Sequence, residues 1–262
     1  MSEVTVERRA AGRIAVVRFD RGTRGNPLAL STMRELTAVA RGFEDDARLS
    51  AVVLTGREEN FCVGFDLRDP ETEALAAAPL GERRLALQTG RRMCGAWAAI
   101  EALTISAVSG WCVGGGVALA VATDLRVAGQ GARFYAPEIE RGMSMSWGSV
   151  PRIVDLVGPA RAKRLLILAE RLDAARAFEW GLVDEIAEAP FAAALALAER
   201  AAEMPPVPVR MIKRAVDAYA TALADTASHA DFDQFTLTQT GDDYAEGVAA
   251  FIEKRPARFT GA

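Results

Sequence analysis

Three consecutive glycines, Gly114-Gly115-Gly116, lie inside the stretch Thr104–Asp124, TISAVSGWCVGGGVALAVATD. The residue types predict a buried strand over Thr104–Ser109, a glycine turn, and a small-residue helix starting near Gly114. The first turn of an α-helix leaves backbone N–H groups without partners and carries partial positive charge. With no Cβ over those donors, a ligand oxygen comes within reach of them. That suits an oxygen that gains negative charge during a reaction. A triple glycine also serves tight helix–strand packing, and taken alone the run does not choose between the two. A second glycine turn, NFCVGFDL (Asn60–Leu67), follows a short apolar run, Ala51–Thr55, which reads as a buried strand.

Other chemistries fit less well. A phosphate loop needs a lysine and a hydroxyl residue after its glycines, and Val117 and Ala118 stand there; Leu119 occupies the third glycine position of a dinucleotide fingerprint. Residues 102–123 carry no charge and are long enough to span a bilayer, but the interior glycines, Ser106, Ser109 and the β-branched run favour strand–turn–helix. His229 is the single histidine, in a polar helical stretch near the C-terminus that reads as surface, so a histidine-based zinc site is excluded. Cys62, Cys94 and Cys112 show neither a disulfide framework nor metal spacing, and no base stands beside Cys62 to make it a nucleophile. Carboxylates and backbone dipoles remain as the chemical groups.

The elements around these turns follow in order. Arg13–Phe19 reads as a strand, Asp20–Leu30 as a loop, and Ser31 as the N-cap of a helix to about Arg41. Residues 68–80 read as a loop and Gly81–Leu103 as a helix. Asp124–Ala128 and Ala132–Tyr135 read as strands, followed by helices near 147–157, 159–169 and 173–180, the last capped by Asp173 and ended by Gly181. Leu182–Ile186 is the final strand, and from Pro190 the pattern is helical to the end. Strands alternating with helices, then an all-helical tail, indicate an α/β fold with a helical extension. The 262 residues, half of them hydrophobic, suffice for a large core; with a net charge of −4, no global basic field favours nucleic acid. The start of the chain lacks the apolar core of a signal peptide, so a cytoplasmic location is expected.

Five segments, FCVGFDL, GWCVGGG, APEIERG, WGLVDEI and EGVAAFIEKRPARF, stand in the order and spacing of the crotonase (enoyl-CoA hydratase/isomerase) superfamily. From about Val16 to Phe259 the chain resembles its members. The resemblance implies a crotonase-like spiral of ββα units over residues 1–195, with the acyl-CoA site, and a helical C-terminal trimerisation region over 196–262. It implies homotrimers or dimers of trimers. It also implies an acyl-CoA thioester substrate, no metal, no cofactor beyond the coenzyme A of the substrate, and neither nucleic acid nor membrane as partner. The family stabilises a thioester enolate with two backbone N–H groups. By position these come from Phe65, after Gly64, and from Gly115, after Gly114.

The family's hydratases use two glutamates. The one after a proline is present as Glu138 in Ala136-Pro137-Glu138; the position of the other holds Ala118. On residue type alone Glu138 reads as a solvated acid, and its role comes from the resemblance; Glu140 is the rival. One carboxylate can take a proton from one carbon and return it to another, so double-bond isomerisation is preferred. Hydration by Glu138 alone and acyl-CoA binding without turnover are the alternatives. Met145 and Trp147 replace small residues of the family and either line the acyl pocket or fill the core, while Ser144 and Ser146 are candidates to hold a substrate oxygen or a water. Arg24 lies where a basic residue meets the CoA phosphates, and the backbone of Phe65, Asp66, Leu67 and Arg68 borders the adenine or pantetheine. Phe251 and Lys254 match a motif that reaches CoA from a neighbouring subunit.

Overall fold

The structure, a computed structural model, describes residues 2–75 and 77–262. Its main sheet has six strands: β1 (Val4–Arg9), β2 (Ile14–Phe19), β3 (Ala51–Thr55), β4 (Leu103–Val108), β6 (Leu125–Gly129) and β9 (Glu185–Ala187), in that spatial order. Only β1 runs antiparallel to its neighbour; the other pairings are parallel. A smaller sheet joins β5 (Trp111–Val113), β7 (Arg133–Tyr135) and β8 (Leu172–Asp173). The helices are α1 (Leu30–Arg41), α2 (Pro70–Leu75), α3 (Leu80–Ala98), α4 (Gly115–Ala120), α5 (Ser149–Leu166), α6 (Ala174–Trp180), α7 (Pro190–Glu203), α8 (Pro206–Ala220), α9 (Ala224–Ser228), α10 (Asp231–Thr238) and α11 (Asp242–Glu253).

Strand periodicity divides the main sheet between two cores. Ala15, Val17 and Phe19 of β2 face a large core shared with α1, α3, α4 and α5, where Trp97, Phe61 and Met93 are buried. Ile14 and Val16 point the other way, with Val53, Ile105 and Val127, against α7. That helix lays Ala194, Ala198 and Ala202 on the sheet; the four-residue spacing keeps these small side chains on one face, so the helix comes close.

The expected strands and helices occur in order, but β5 stands where a glycine turn was expected, β8 between two expected helices, and the last strand at Glu185–Ala187 instead of Leu182–Ile186. β1 was not anticipated: four of its six residues are exposed, so apolar alternation is faint and pairing with β2 makes it a strand. Ser31 is not the cap of α1, which starts one residue earlier at Leu30 and has no side-chain cap. The stretch 68–80 contains α2 and the start of α3, while Ala76 lies outside the described residues; α3 ends at Ala98 rather than running to Leu103, where β4 begins. The C-terminal helix stops at Glu253, so the segment AFIEKRPARF is helical only in its first half. The break in α5 falls at Gly158, φ 78°, between the two helices expected there. Asp173 accepts from Arg176 N at 2.8 Å, and Gly181 ends α6 with φ 85°. Residues 104–124 form strands and a short helix, and among the described residues no helix is long and apolar enough to cross a membrane.

Arg126 of β6 is 2% exposed and ties three segments together. Its guanidinium donates to Leu182 O and Thr123 O at 2.8 Å each and to Asp184 Oδ2 at 2.7 Å. Replacing it removes the side-chain donors of two carbonyls and leaves Asp184 Oδ2 with only the Arg126 backbone N–H, at 2.8 Å. Arg126→Met is expected to cost roughly 3–5 kcal/mol in urea unfolding; a loss below about 1 kcal/mol would show that the cluster is not a structural tie.

Candidate active site

Two post-strand turns meet at the edge of the small sheet. The segment after β3 is zipped to the segment after β4: Phe61 N donates to Ser109 O at 2.7 Å, Cys62 N to Trp111 O at 2.9 Å, and Val113 N to Cys62 O at 2.8 Å. Asn26 braces this junction from the loop before α1. It is fully buried, and its side-chain amide donates to Phe19 O and Phe61 O at 3.0 Å each. The loop is then drawn onto the turn by Leu28 N to Gly64 O at 2.8 Å and Asp66 N to Leu28 O at 2.9 Å.

Between those bonds the Phe65 N–H is skipped. Gly64 takes φ 99° and Gly114 takes φ 52°, values that side chains rarely adopt, and each turns the following amide out of the ladder. Among the described residues, neither Phe65 N nor Gly115 N donates to a protein acceptor. The two lie side by side: a Cβ built on Gly115 would stand 3.5 Å from Phe65 N, and one built on Gly64 would stand 3.7 Å from Gly115 N. Gly115 also starts α4, but that helix has six residues, so its dipole adds little; the paired free donors are what could hold an oxyanion.

Glu138 faces the same place. A Cβ on Gly114 would overlap its Oε1, so the glycine lets the carboxyl lie against the start of α4. The residue is partly accessible, but its Oε2 is closed off from solvent and has no hydrogen-bond partner. Burial raises the carboxyl pKa to about 7, against the smaller opposing pull of a backbone hydrogen bond and the charge of Arg141. A carboxyl poised there can both take and return a proton near neutrality.

These groups open onto one cavity of about 520 Å³, lined also by Met33, Leu87, Met143, Met145 and Ala118. Of the residues singled out from sequence, Arg24, Gly64, Phe65, Asp66, Leu67, Arg68, Gly114, Gly115, Glu138, Trp147 and Phe251 all line it. Lys254 does not; it lies in a shallower groove between Glu140 and Phe259. Phe251 borders the cavity of its own chain. Glu140 is spent on the Tyr135 hydroxyl and points away. Asp66 is paired with Arg21, while Arg24 and Arg68 are exposed and lack ion-pair partners among the described residues. His229 is exposed and does not line the cavity; Cys62 is fully buried, which pushes its thiol up to about 12.

The family model for enoyl-CoA hydratase/isomerase matches residues 9–262. The chain belongs to the enoyl-CoA hydratase/isomerase family. A short-chain-enoyl-CoA hydratase of Clostridium acetobutylicum is 31% identical over 93% of both chains. Among solved structures, an enoyl-CoA hydratase from Mycobacterium avium subsp. paratuberculosis superposes with a TM-score of 0.87 at 24% identity, covering 99% of both chains. An enoyl-CoA hydratase/isomerase from Pseudoalteromonas atlantica gives 0.86 at 25% identity, covering 98% of this chain and all of the other. The fold is therefore the crotonase α/β fold expected from the motifs.

Within this enoyl-CoA hydratase/isomerase fold, Trp147 is a cavity wall as well as core. It holds φ 63°, sets its indole edge-on to Phe65 (centroids 6.3 Å apart), and lies over Gly115 and Gly90. A Cβ on Gly115 would come within 2.5 Å of the indole, and one on Gly90 would overlap it. The loop carrying Trp147 is anchored from the C-terminal helices. Asp231 accepts from Gly148 N at 2.7 Å, and Arg91 holds Asp231 at 3.1 Å and Ser228 O at 2.8 Å. Ser146 Oγ accepts from Trp147 N; Ser144 Oγ is buried at the cavity without a partner. Sequence reading missed Gly90, Arg141, Phe235 and Gln239 of the lining. Gly90 carried a local signal, as a glycine inside a helical run, and Arg141 stands within the APEIERG segment without a role of its own there; Phe235 and Gln239 come from α10 and the residue that caps it, distant in sequence.

The raised Glu138 pKa has a stability consequence. Between the ordinary carboxylate range and about 7, the folded chain holds a proton that the unfolded chain has released. Stability therefore falls as pH rises through that window; below it the group is neutral in both states, and above it the cost of the buried charge is complete. Glu138→Gln is expected to melt above wild type at about pH 8 and level with it at about pH 4. Equal melting temperatures at both values would mean that the carboxyl is solvated.

Proposed function

We propose that this protein shifts the double bond of an enoyl-CoA thioester, with Glu138 moving one proton between two carbons. The observation that carries the reading is the single unpaired carboxyl of the cavity, set beside two free amides, with Ala118 buried one helical turn from Gly114 where a second acid would stand. In a 3-enoyl-CoA the thioester oxygen sits between Phe65 N and Gly115 N. Ionised Glu138 takes a proton from C2, and the electron pair spreads over C2–C4 and the thioester oxygen as a dienolate. The same carboxyl then returns the proton to C4, leaving the double bond between C2 and C3. No water is consumed, and the proton count balances on one residue. Each amide is worth about 3–4 kcal/mol in such a step, on the scale of single-donor deletions in oxyanion holes. Arg24 and Arg68 at the mouth supply positive charge for the CoA phosphates, and the substrate brings the only coenzyme required.

Hydration is the second reading. It is favoured by the names of relatives such as the Clostridium hydratase and by Ser144, whose buried hydroxyl could hold a water. It asks Glu138 to handle both the water proton and the carbon proton. Product mass separates the two, since hydration adds one water and isomerisation adds nothing. The expected result is 2-enoyl-CoA from 3-enoyl-CoA, faster than 3-hydroxyacyl-CoA from crotonyl-CoA. Glu138→Gln should lower isomerisation roughly 10³-fold, and wild-type kcat/KM should climb with pH and level off above about 7. Full activity in that variant would remove Glu138 from the mechanism.

Self-association belongs to the same proposal. Helix α8 leaves Val207, Met211, Ile212, Val216 and Tyr219 exposed, apolar surface that a trimer would cover. Sedimentation is expected to show a trimer or a dimer of trimers, and Met211→Glu with Val216→Glu should yield smaller species; a monomeric wild type would end this reading.

A further inference from the structure

The cavity contains more polarity than moving a proton requires. Beyond Glu138, two side-chain atoms that line it are buried and have no partner: Arg141 Nε and Ser144 Oγ. The Arg141 guanidinium makes no hydrogen bond or ion pair with the described residues, and Ser144 makes none through its hydroxyl. The guanidinium is fixed, with its carbon 4.1 Å above the Phe251 ring. Its backbone is clamped too, because α11 packs so closely on it that a Cβ at Gly247 would meet Arg141 Cα and C within 2.6 Å. A cation and a hydroxyl held this way without acceptors are costly, and a ligand that supplies an anionic oxygen recovers that cost.

Position decides what kind of ligand. Arg141 and Ser144 flank the tight turn that follows Glu138, where Arg141 N and Met143 N both donate to Glu138 O at 3.0 Å. Both line the cavity that Glu138 lines, together with the apolar walls Met143, Met145 and Trp147. The exposed arginines Arg24 and Arg68 come from the two loops before α1 and α2 and are available for phosphates. Arg141 is separate from them in the chain; it lines both the cavity and the outer groove beside Phe251, and its Nε, closed off from solvent without a partner, is the polar atom that an acyl group in the cavity would meet. We infer that Arg141 and Ser144 form a subsite for a carboxylate at the far end of the acyl chain, so that the preferred substrate is a short dicarboxylic enoyl-CoA. Arg141 gives a charge-assisted hydrogen bond to the distal carboxylate, and the Ser144 hydroxyl donates a second. This specificity rests on the acyl-CoA reading of the site above.

The test compares 3-hexenedioyl-CoA, joined to CoA through one carboxyl, with 3-hexenoyl-CoA, which has the same length and no distal charge. The wild type should favour the diacid in kcat/KM. Arg141→Leu should reduce the diacid-to-monoacid ratio at least about tenfold, the scale of one hydrogen bond to a charged group. Arg141→Lys should restore part of it, and Ser144→Ala, which removes one atom, should move the ratio the same way by less. A wild-type ratio at or below one, or a ratio that Arg141→Leu leaves unchanged, overturns the subsite. Calorimetric binding of the saturated pair, adipoyl-CoA and hexanoyl-CoA, reads the subsite without any chemistry. If neither enoyl thioester is turned over, the isomerase reading fails, while tighter adipoyl-CoA binding that Arg141→Leu abolishes still upholds the subsite. Equal affinities overturn it.

Discussion

Everything at this site depends on two backbone amides that the fold refuses to pair. A buried N–H without an acceptor costs about 1–3 kcal/mol, so chains seldom leave two together. Here they persist because the surrounding bonds leave no alternative. The ladder between Cys62 and Trp111–Val113 fixes the two turns against each other, and Asn26 bonds both Phe19 and Phe61 from below. Left-handed glycines at 64 and 114 then rotate the next amide of each turn outward. Such donors need no reorganisation when charge arrives, and that pre-arrangement is the source of their catalytic value in the reading proposed here.

The same dryness acts on Glu138. Closing Oε2 off from water without a partner raises its pKa to about 7, and strengthens the field of the nearby amides. A solvated carboxyl would be ionised but a weak base; a deeply paired one would be unable to move. Much of the closure comes from the C-terminal helices. Asp231 fixes the loop that carries Trp147, while Phe235, Gln239 and Phe251 complete the lining. The helical region of the chain is thus part of the cavity wall and sets its dielectric.

Ala118 and Trp147 describe the two sides of the same specialisation. One leaves an apolar methyl where the family resemblance points to a second acid, so the proposed chemistry rests on one proton carrier. The other presses an indole onto Gly115 and Gly90 and limits the space beside the amides. Against those walls, Arg141 and Ser144 are out of character, and their isolation is what suggests a polar acyl terminus.

The sequence by itself determined a good deal. The order of strands and helices, the caps at Asp173 and Gly181, the break at Gly158 and the family follow from residue types and spacings, which are local properties. Eleven of the twelve site residues chosen from motifs line one cavity. Only the tertiary structure decided the rest, because it depends on contacts between distant segments. Pairing made β1 a strand despite its exposed side chains. Whether an amide is free depends on what its neighbours bond, so Phe65 and Gly115 could be named from motif but not shown unpaired. Glu138 and Glu140 differ by two positions and were told apart by which one faces the glycines. Phe251 lines its own chain's cavity because α11 packs onto the turn at Arg141, and whether the Arg141 and Ser144 side chains find partners depends on which distant segments pack around them.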